Sequence, residues 1–203
     1  MAGLSFFKHR KLRQSEAGIS AVEFALIAPL MVVIYFGCIE LSMAMTLDRK
    51  VTGATAALGD LTARASSITN DDLSDIFEAT RMVMQPNDIS LASMRITSLE
   101  NDGSDTTPSD GTTDSVVVWS DRCGTGLNAL AADDIVQVPD DLIPAGGTLI
   151  MAEIQFPYTS PIGFFFSSAK TLSDTFYLRP RRVDSITRDS SAGSLTCGYI
   201  PSP

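Results

Sequence analysis

Two sets of residues in this 203-residue chain have the types and spacing to do chemistry. The first centres on Glu23. From Ile19 to Met45 only two charges interrupt an apolar run, Glu23 and Glu40. A carboxylate four residues inside such a run is expensive and marks a functional position. Gly18 and Ile19 lie just before it and Phe24 directly after it. The second set is the cysteines. Cys123 and Cys197 fall well beyond the apolar run, and a disulfide between them would persist if that region is exported. It would close a loop of about 75 residues, worth around 4 kcal/mol in the chain-entropy model. Two free thiols are the alternative. Cys38 lies inside the run and reads as a buried, inert thiol.

Enzymatic chemistry finds little to work with. The only histidine, His9, precedes the apolar run, so the rest of the chain offers no imidazole base or zinc ligand. Asp71-Asp72, Asp133-Asp134 and Asp140-Asp141 are carboxylate pairs, but each sits where a turn or a helix start explains it. Gly124-x-Gly126 lacks the rest of any phosphate-binding pattern, and the acidic stretch Asn101–Asp114 lacks calcium-loop spacing. The expectation is a non-enzymatic protein with no cofactor and no metal.

The elements that must position these residues follow from pattern and charge. The apolar run is long enough to span a bilayer, which takes about 20 residues. Lys8, Arg10, Lys11 and Arg13 precede it, opposed only by Glu16, while eleven Lys/Arg and twenty-one Asp/Glu follow Met45, a net of −10. Basic flanks mark the cytoplasmic side, so the N-terminus is expected inside and the C-terminal part outside. The acidic remainder is a poor match to nucleic acid.

Ile19 to about Ser66 reads as one long helix or two collinear ones, roughly 70 Å in length. Pro29 should loosen one turn by removing the N–H that would bond the Ala25 carbonyl. After Met45 the pattern turns amphipathic through Leu47, Val51, Ala54, Leu58, Leu61 and Ala65. A second helix starts at Asn70-Asp71-Asp72 and stops before Pro86. Period-two alternation and β-branched runs predict strands at Ile89–Leu99, Ser115–Ser120, Ile135–Val138, Thr148–Tyr158 and Thr175–Val183, with a loop and short helical turn over Asp121–Leu130. Ile162–Phe166, with three consecutive phenylalanines, reads as a core or membrane-proximal turn, the alternative being an exposed partner-binding patch, and the Ser/Gly/Pro-rich tail would fray unless Cys197 staples it. The fold class is therefore α+β: a long N-terminal helix, a second helix and an antiparallel sheet of about four strands.

A small residue at the cut, an apolar new N-terminus, Glu as the fifth residue after the cut and an aromatic as the sixth resemble a type IV prepilin processing site. Gly18, Ile19, Glu23 and Phe24 supply these in order. The Glu-Phe version followed by a long apolar helix is most similar to the TadE-like pseudopilins of tight-adherence (Flp-type) pili. Phe156-Pro157-Tyr158 and Arg179-Pro180-Arg181 look similar to the later part of such proteins.

The resemblance implies a basic leader over residues 1–18, a transmembrane or pilin-core helix over 19–45 and an exported globular domain over 46–203. It implies cleavage between Gly18 and Ile19 by a prepilin peptidase in the inner membrane, and a role in surface attachment. Other pseudopilins and pilin, an assembly platform and membrane lipid would be its partners. In a fibre of packed helices, Glu23 of one subunit could neutralise the Ile19 ammonium of its neighbour and set axial register. The competing expectation is an uncleaved, signal-anchored periplasmic binding or scaffold protein, in which Gly18 and Glu23 would be dispensable.

Overall fold

A computed structural model of the protein describes residues 16–87, 89–105, 110–163, 168–189, 195 and 197. Most of the basic leader with His9, the Phe164–Phe166 run and nearly all of the tail lie outside the described residues. Helix α1 (Glu16–Ala63) is unbroken for 48 residues and carries Pro29 within it. It begins three residues before Ile19 and passes through two environments. Between Ile19 and Met45 its large apolar side chains are mostly exposed. From Leu47 onward the amphipathic pattern takes over, and Leu47, Val51, Ala54 and Leu58 are buried. Thr55 and Thr62 lie on the same buried stretch because their hydroxyls donate back to the carbonyls of Val51 and Leu58, at 2.8 Å each.

Strand β1 (Ser67–Ile68) follows, then helix α2 (Asn70–Val83). Thr69 caps α2 through a capping box: its hydroxyl accepts from the Asp72 N–H at 3.2 Å, and Asp72 accepts from the Thr69 N–H at 2.9 Å. The Thr69 side chain, and then its backbone N–H, hold the Asp72 carboxyl below the usual carboxylate range. A depressed folded-state pKa stabilises above the unfolded pKa, and that gain is lost as pH falls through the folded one. Asp72→Ala should therefore cost about 0.5 kcal/mol near neutrality, the screened worth of an exposed capping carboxylate. The cost should shrink in acid, and denaturant midpoints at the two pH values measure it.

The main sheet is antiparallel and five-stranded, in the order β4-β3-β2-β5-β6. Its strands are β2 (Ser93–Glu100), β3 (Thr112–Cys123), β4 (Ile135–Pro139), β5 (Thr148–Tyr158) and β6 (Lys170–Leu178). A bulge opposite Ser98/Leu99 leaves Val118 unpaired and turned toward solvent. A final two-residue strand, β7 (Thr187–Arg188), pairs in parallel with β1.

One sheet face carries Met94, Ile96, Trp119, Ile150, Ala152, Ile154 and Phe156 against the buried faces of α1 and α2. The other holds a smaller cluster of Leu99, Val117, Val138, Leu149 and Met151 under Ile143. Helix α1 lies directly on β5 and β6 with Gly59 at the contact, where a Cβ would force the end of the Leu178 side chain to move and would touch Ala152.

Several sequence-based boundaries need correction. Ile89–Leu91 forms a turn of 3₁₀ helix, so β2 starts only at Ser93. β3 runs past Ser120 to Cys123, replacing the expected loop there, because Asp121 is paired across the domain rather than solvated. β6 lies earlier than expected, with Lys170–Ser173 pairing onto the Gln155–Tyr158 end of β5 and Arg179-Pro180 ending the strand. The antiparallel sheet is the one expected, and its five strands correspond to the five segments read as strands.

Candidate assembly site on helix α1

The Gly18–Ile19 bond lies inside α1. Ile19 and Glu23 are one helical turn apart, which puts them on the same side of the helix. Ile19 is 61% exposed and Phe24 69%. Glu23 is also exposed and has no hydrogen-bond or ion-pair partner among the described residues. A carboxylate with no partner among the described residues, on a helix covered in apolar side chains, is costly to bury unless a counter-charge or water meets it. Fifteen large apolar residues between Ile19 and Met45 are exposed, too contiguous a surface to leave in water. The helix is long and apolar enough to cross a membrane. Cys38 is exposed on it, not buried, because no other part of the described chain packs there.

The second acidic residue of the run behaves differently. Glu40 is completely buried and engaged with a partner, where α1 approaches the globular part. Its charge alone could not distinguish it from Glu23; only the position of α1 against the rest of the chain does.

The globular part holds α1 through groups that pattern reading passed over. Arg181 donates its backbone N–H to the Ala63 carbonyl at 2.9 Å, satisfying an end of α1, and its guanidinium pairs with Asp60 at 2.5 Å. Arg179 donates to the Leu142 carbonyl at 2.8 Å. The Arg179-Pro180-Arg181 stretch thus fastens the end of α1 to the outer loop of the sheet. Nearby, Arg188 binds Asp121 through Nε at 2.7 Å and Nη2 at 3.2 Å, and also contacts Asn70. That cluster ties β7, β3 and the start of α2 together. On the opposite face Arg95 pairs with Glu153 at 2.6 Å. Burial, and then the Glu153 charge, push the Tyr177 hydroxyl above its ordinary value.

Cys123 and Cys197 are joined by a disulfide, with Cα atoms 5.4 Å apart. The carboxylate pairs have local structural uses. Asp72 caps α2. Asp134 accepts from the Ala131 N–H, and Asp140 accepts from the Thr113 hydroxyl. Asp133 and Asp141 occupy turn positions at φ 68° and 66°. Among the described residues no group of three or more His, Cys, Asp or Glu is placed to hold a metal.

Residues 18–58 match the family described as TadE-like protein. The match begins at the glycine before Ile19 and ends at Leu58, so it covers the apolar run and the first turns that pack on the sheet. Neither a curated protein nor a solved structure matches the chain.

Proposed function

We propose that this chain, TadE-like over residues 18–58, is a minor pseudopilin of a tight-adherence pilus. It enters the inner membrane through α1, N-terminus inside. A prepilin peptidase removes residues 1–18, and residues 19–45 then serve as membrane and fibre-core helix. Residues 46–203 form the exported part, fixed to that helix. Its role is non-enzymatic: it assembles with other pseudopilins and pilin on the assembly platform, and so contributes to surface attachment.

The observation that carries this reading is Glu23, exposed and without a partner among the described residues, on an apolar helix within the TadE-like segment. Cleavage after Gly18 would create an ammonium at Ile19. Glu23 then lies in the first turns of the shortened helix, where a carboxylate is favoured by the helix dipole. Beside a second subunit the two charges become a hydrogen-bonded pair, which reduces the cost of placing either in an apolar core.

The test is the N-terminal residue of the membrane-extracted protein, read by mass spectrometry of its first peptide. Ile19 is expected, and Gly18→Arg should retain the leader. A chain beginning at Met1 or Ala2 in cells that carry the peptidase would replace this reading with an uncleaved, signal-anchored scaffold.

A further inference from the structure

Cys123 ends β3 and is 1% exposed, while Cys197 is only partly covered. A cleft of about 400 Å³, lined by Asp121, Arg122, Thr125, Leu195 and Cys197, opens onto Cys197. The other sulfur meets a cation instead. Arg81 of α2, itself 4% exposed, donates from Nη2 to Cys123 Sγ at 2.9 Å. A disulfide sulfur is a weak acceptor, whereas a thiolate is a strong one. The same contact therefore strengthens when Cys123 carries charge.

We infer that Cys123–Cys197 is a directional thiol–disulfide exchange site, attacked at Cys197 by a small anionic thiol while Cys123 leaves as a thiolate held by Arg81. In the forward step the incoming thiolate, its proton already lost to water, attacks Cys197 Sγ. A new S–S bond forms there, the Cys123–Cys197 bond breaks, and its electron pair stays on Cys123. In the reverse step the Cys123 thiolate attacks Cys197 and expels the small thiolate. Neither step needs a further oxidant or reductant.

The direction follows from access and from charge. The cleft has room for a side-chain-sized thiol, and Arg122, whose guanidinium donates to the Gly124 carbonyl, is among the residues lining it. Burial alone would disfavour a Cys123 thiolate, but an adjacent buried guanidinium opposes that. Thiolates beside Arg, Lys or a protonated His titrate at about 3.5–7.5 instead of about 8.5. Three charged groups lie nearby among the described residues. Glu78 lies 3.7 Å from Arg81 Nη1 and is half exposed, Arg122 points into its own loop toward Gly124, and Asp121 is paired with Arg188.

The experiment uses the oxidised full-length chain in detergent with reduced glutathione as probe, acid-quenched and mapped by peptide mass. The glutathione adduct should sit on Cys197 at least about tenfold more often than on Cys123. In a Cys197→Ser chain, the pH midpoint of Cys123 alkylation by iodoacetamide should lie below that of a free thiol. Arg81→Met should raise that midpoint by about one unit or more and slow glutathione exchange about tenfold, while Arg81→Lys keeps most of both. An adduct mainly on Cys123 overturns the inference. So does a midpoint at or above the free-thiol value that ignores residue 81. The adduct map needs no substitution, so it decides the matter even if Arg81→Met fails to fold.

Discussion

Glu23→Ala is expected to leave cleavage after Gly18 intact and to lower recovery of the chain in sheared fibres by at least about tenfold. The peptidase would act on the bond before Ile19, four residues away, so processing does not need the carboxylate. On the proposed reading, packing beside another subunit does. With Glu23 gone, the ammonium made by cleavage would enter an apolar core without a counter-charge. Removing one partner of a buried ion pair costs about 3–5 kcal/mol. Water reaching the helix ends reduces that figure, and about 1.4 kcal/mol already amounts to tenfold. Glu23→Gln should resemble Ala, because an amide supplies a hydrogen bond but no charge. The check is immunoblotting of the fibre and membrane fractions, with the N-terminal residue read from each. Normal incorporation of the processed variant would remove the register role from Glu23.

Arg188→Met should destabilise the folded chain by about 3–5 kcal/mol. Arg188 is 8% exposed and Asp121 16%, and the guanidinium grips both carboxylate oxygens. It also donates to the backbone carbonyl of Asp189 at 2.6 Å. Methionine fills similar space but strands Asp121 as a half-buried charge. Replacing both, Arg188→Met with Asp121→Leu, should recover a good part of the loss, because the desolvation penalty leaves with the pair. Trp119 makes the measurement simple. It is the only tryptophan, it is buried, and its indole N–H donates to the Ile186 carbonyl at 2.8 Å, two residues from Arg188. Its emission should report unfolding in denaturant, and a midpoint unchanged by Arg188→Met would show that the cluster contributes no net stability.

What was legible in the sequence was legible through periodicity. Thr148–Tyr158 alternates cleanly and coincides with β5, an interior strand paired on both sides. Asn70-Asp71-Asp72 marks the start of α2 because capping chemistry is local. Misreadings gathered where distant partners decide the structure. Asp121 and Arg122 look like loop residues until Arg188, 67 positions away, pairs with Asp121. Lys170–Asp174 has weak strand character and becomes a strand because β5 offers an edge. β1 and β7 are two residues each, and their pairing spans most of the chain, so no local signal could announce them. The same reasoning divides the candidate site. Gly18, Ile19, Glu23 and Phe24 form one contiguous motif, whereas Arg81 next to Cys123 and the enclosure of Glu40 exist only after folding.

The continuity of α1 has a mechanical meaning. A flexible tether between an anchor and a globular part would let the two move independently. Here a single helix enters the sheet at Leu47 with no break after Met45, and Gly59 seats it against β5 and β6. Axial position and azimuth are therefore geared together: each residue of helix carries about 1.5 Å of rise and about 100° of rotation. Inserting one residue between Glu40 and Leu47 would hardly lengthen the rod, yet it would turn the whole globular part by more than a quarter circle relative to Glu23. The side that the globular part shows to a neighbour is thus dictated by the number of residues between the carboxylate and the sheet.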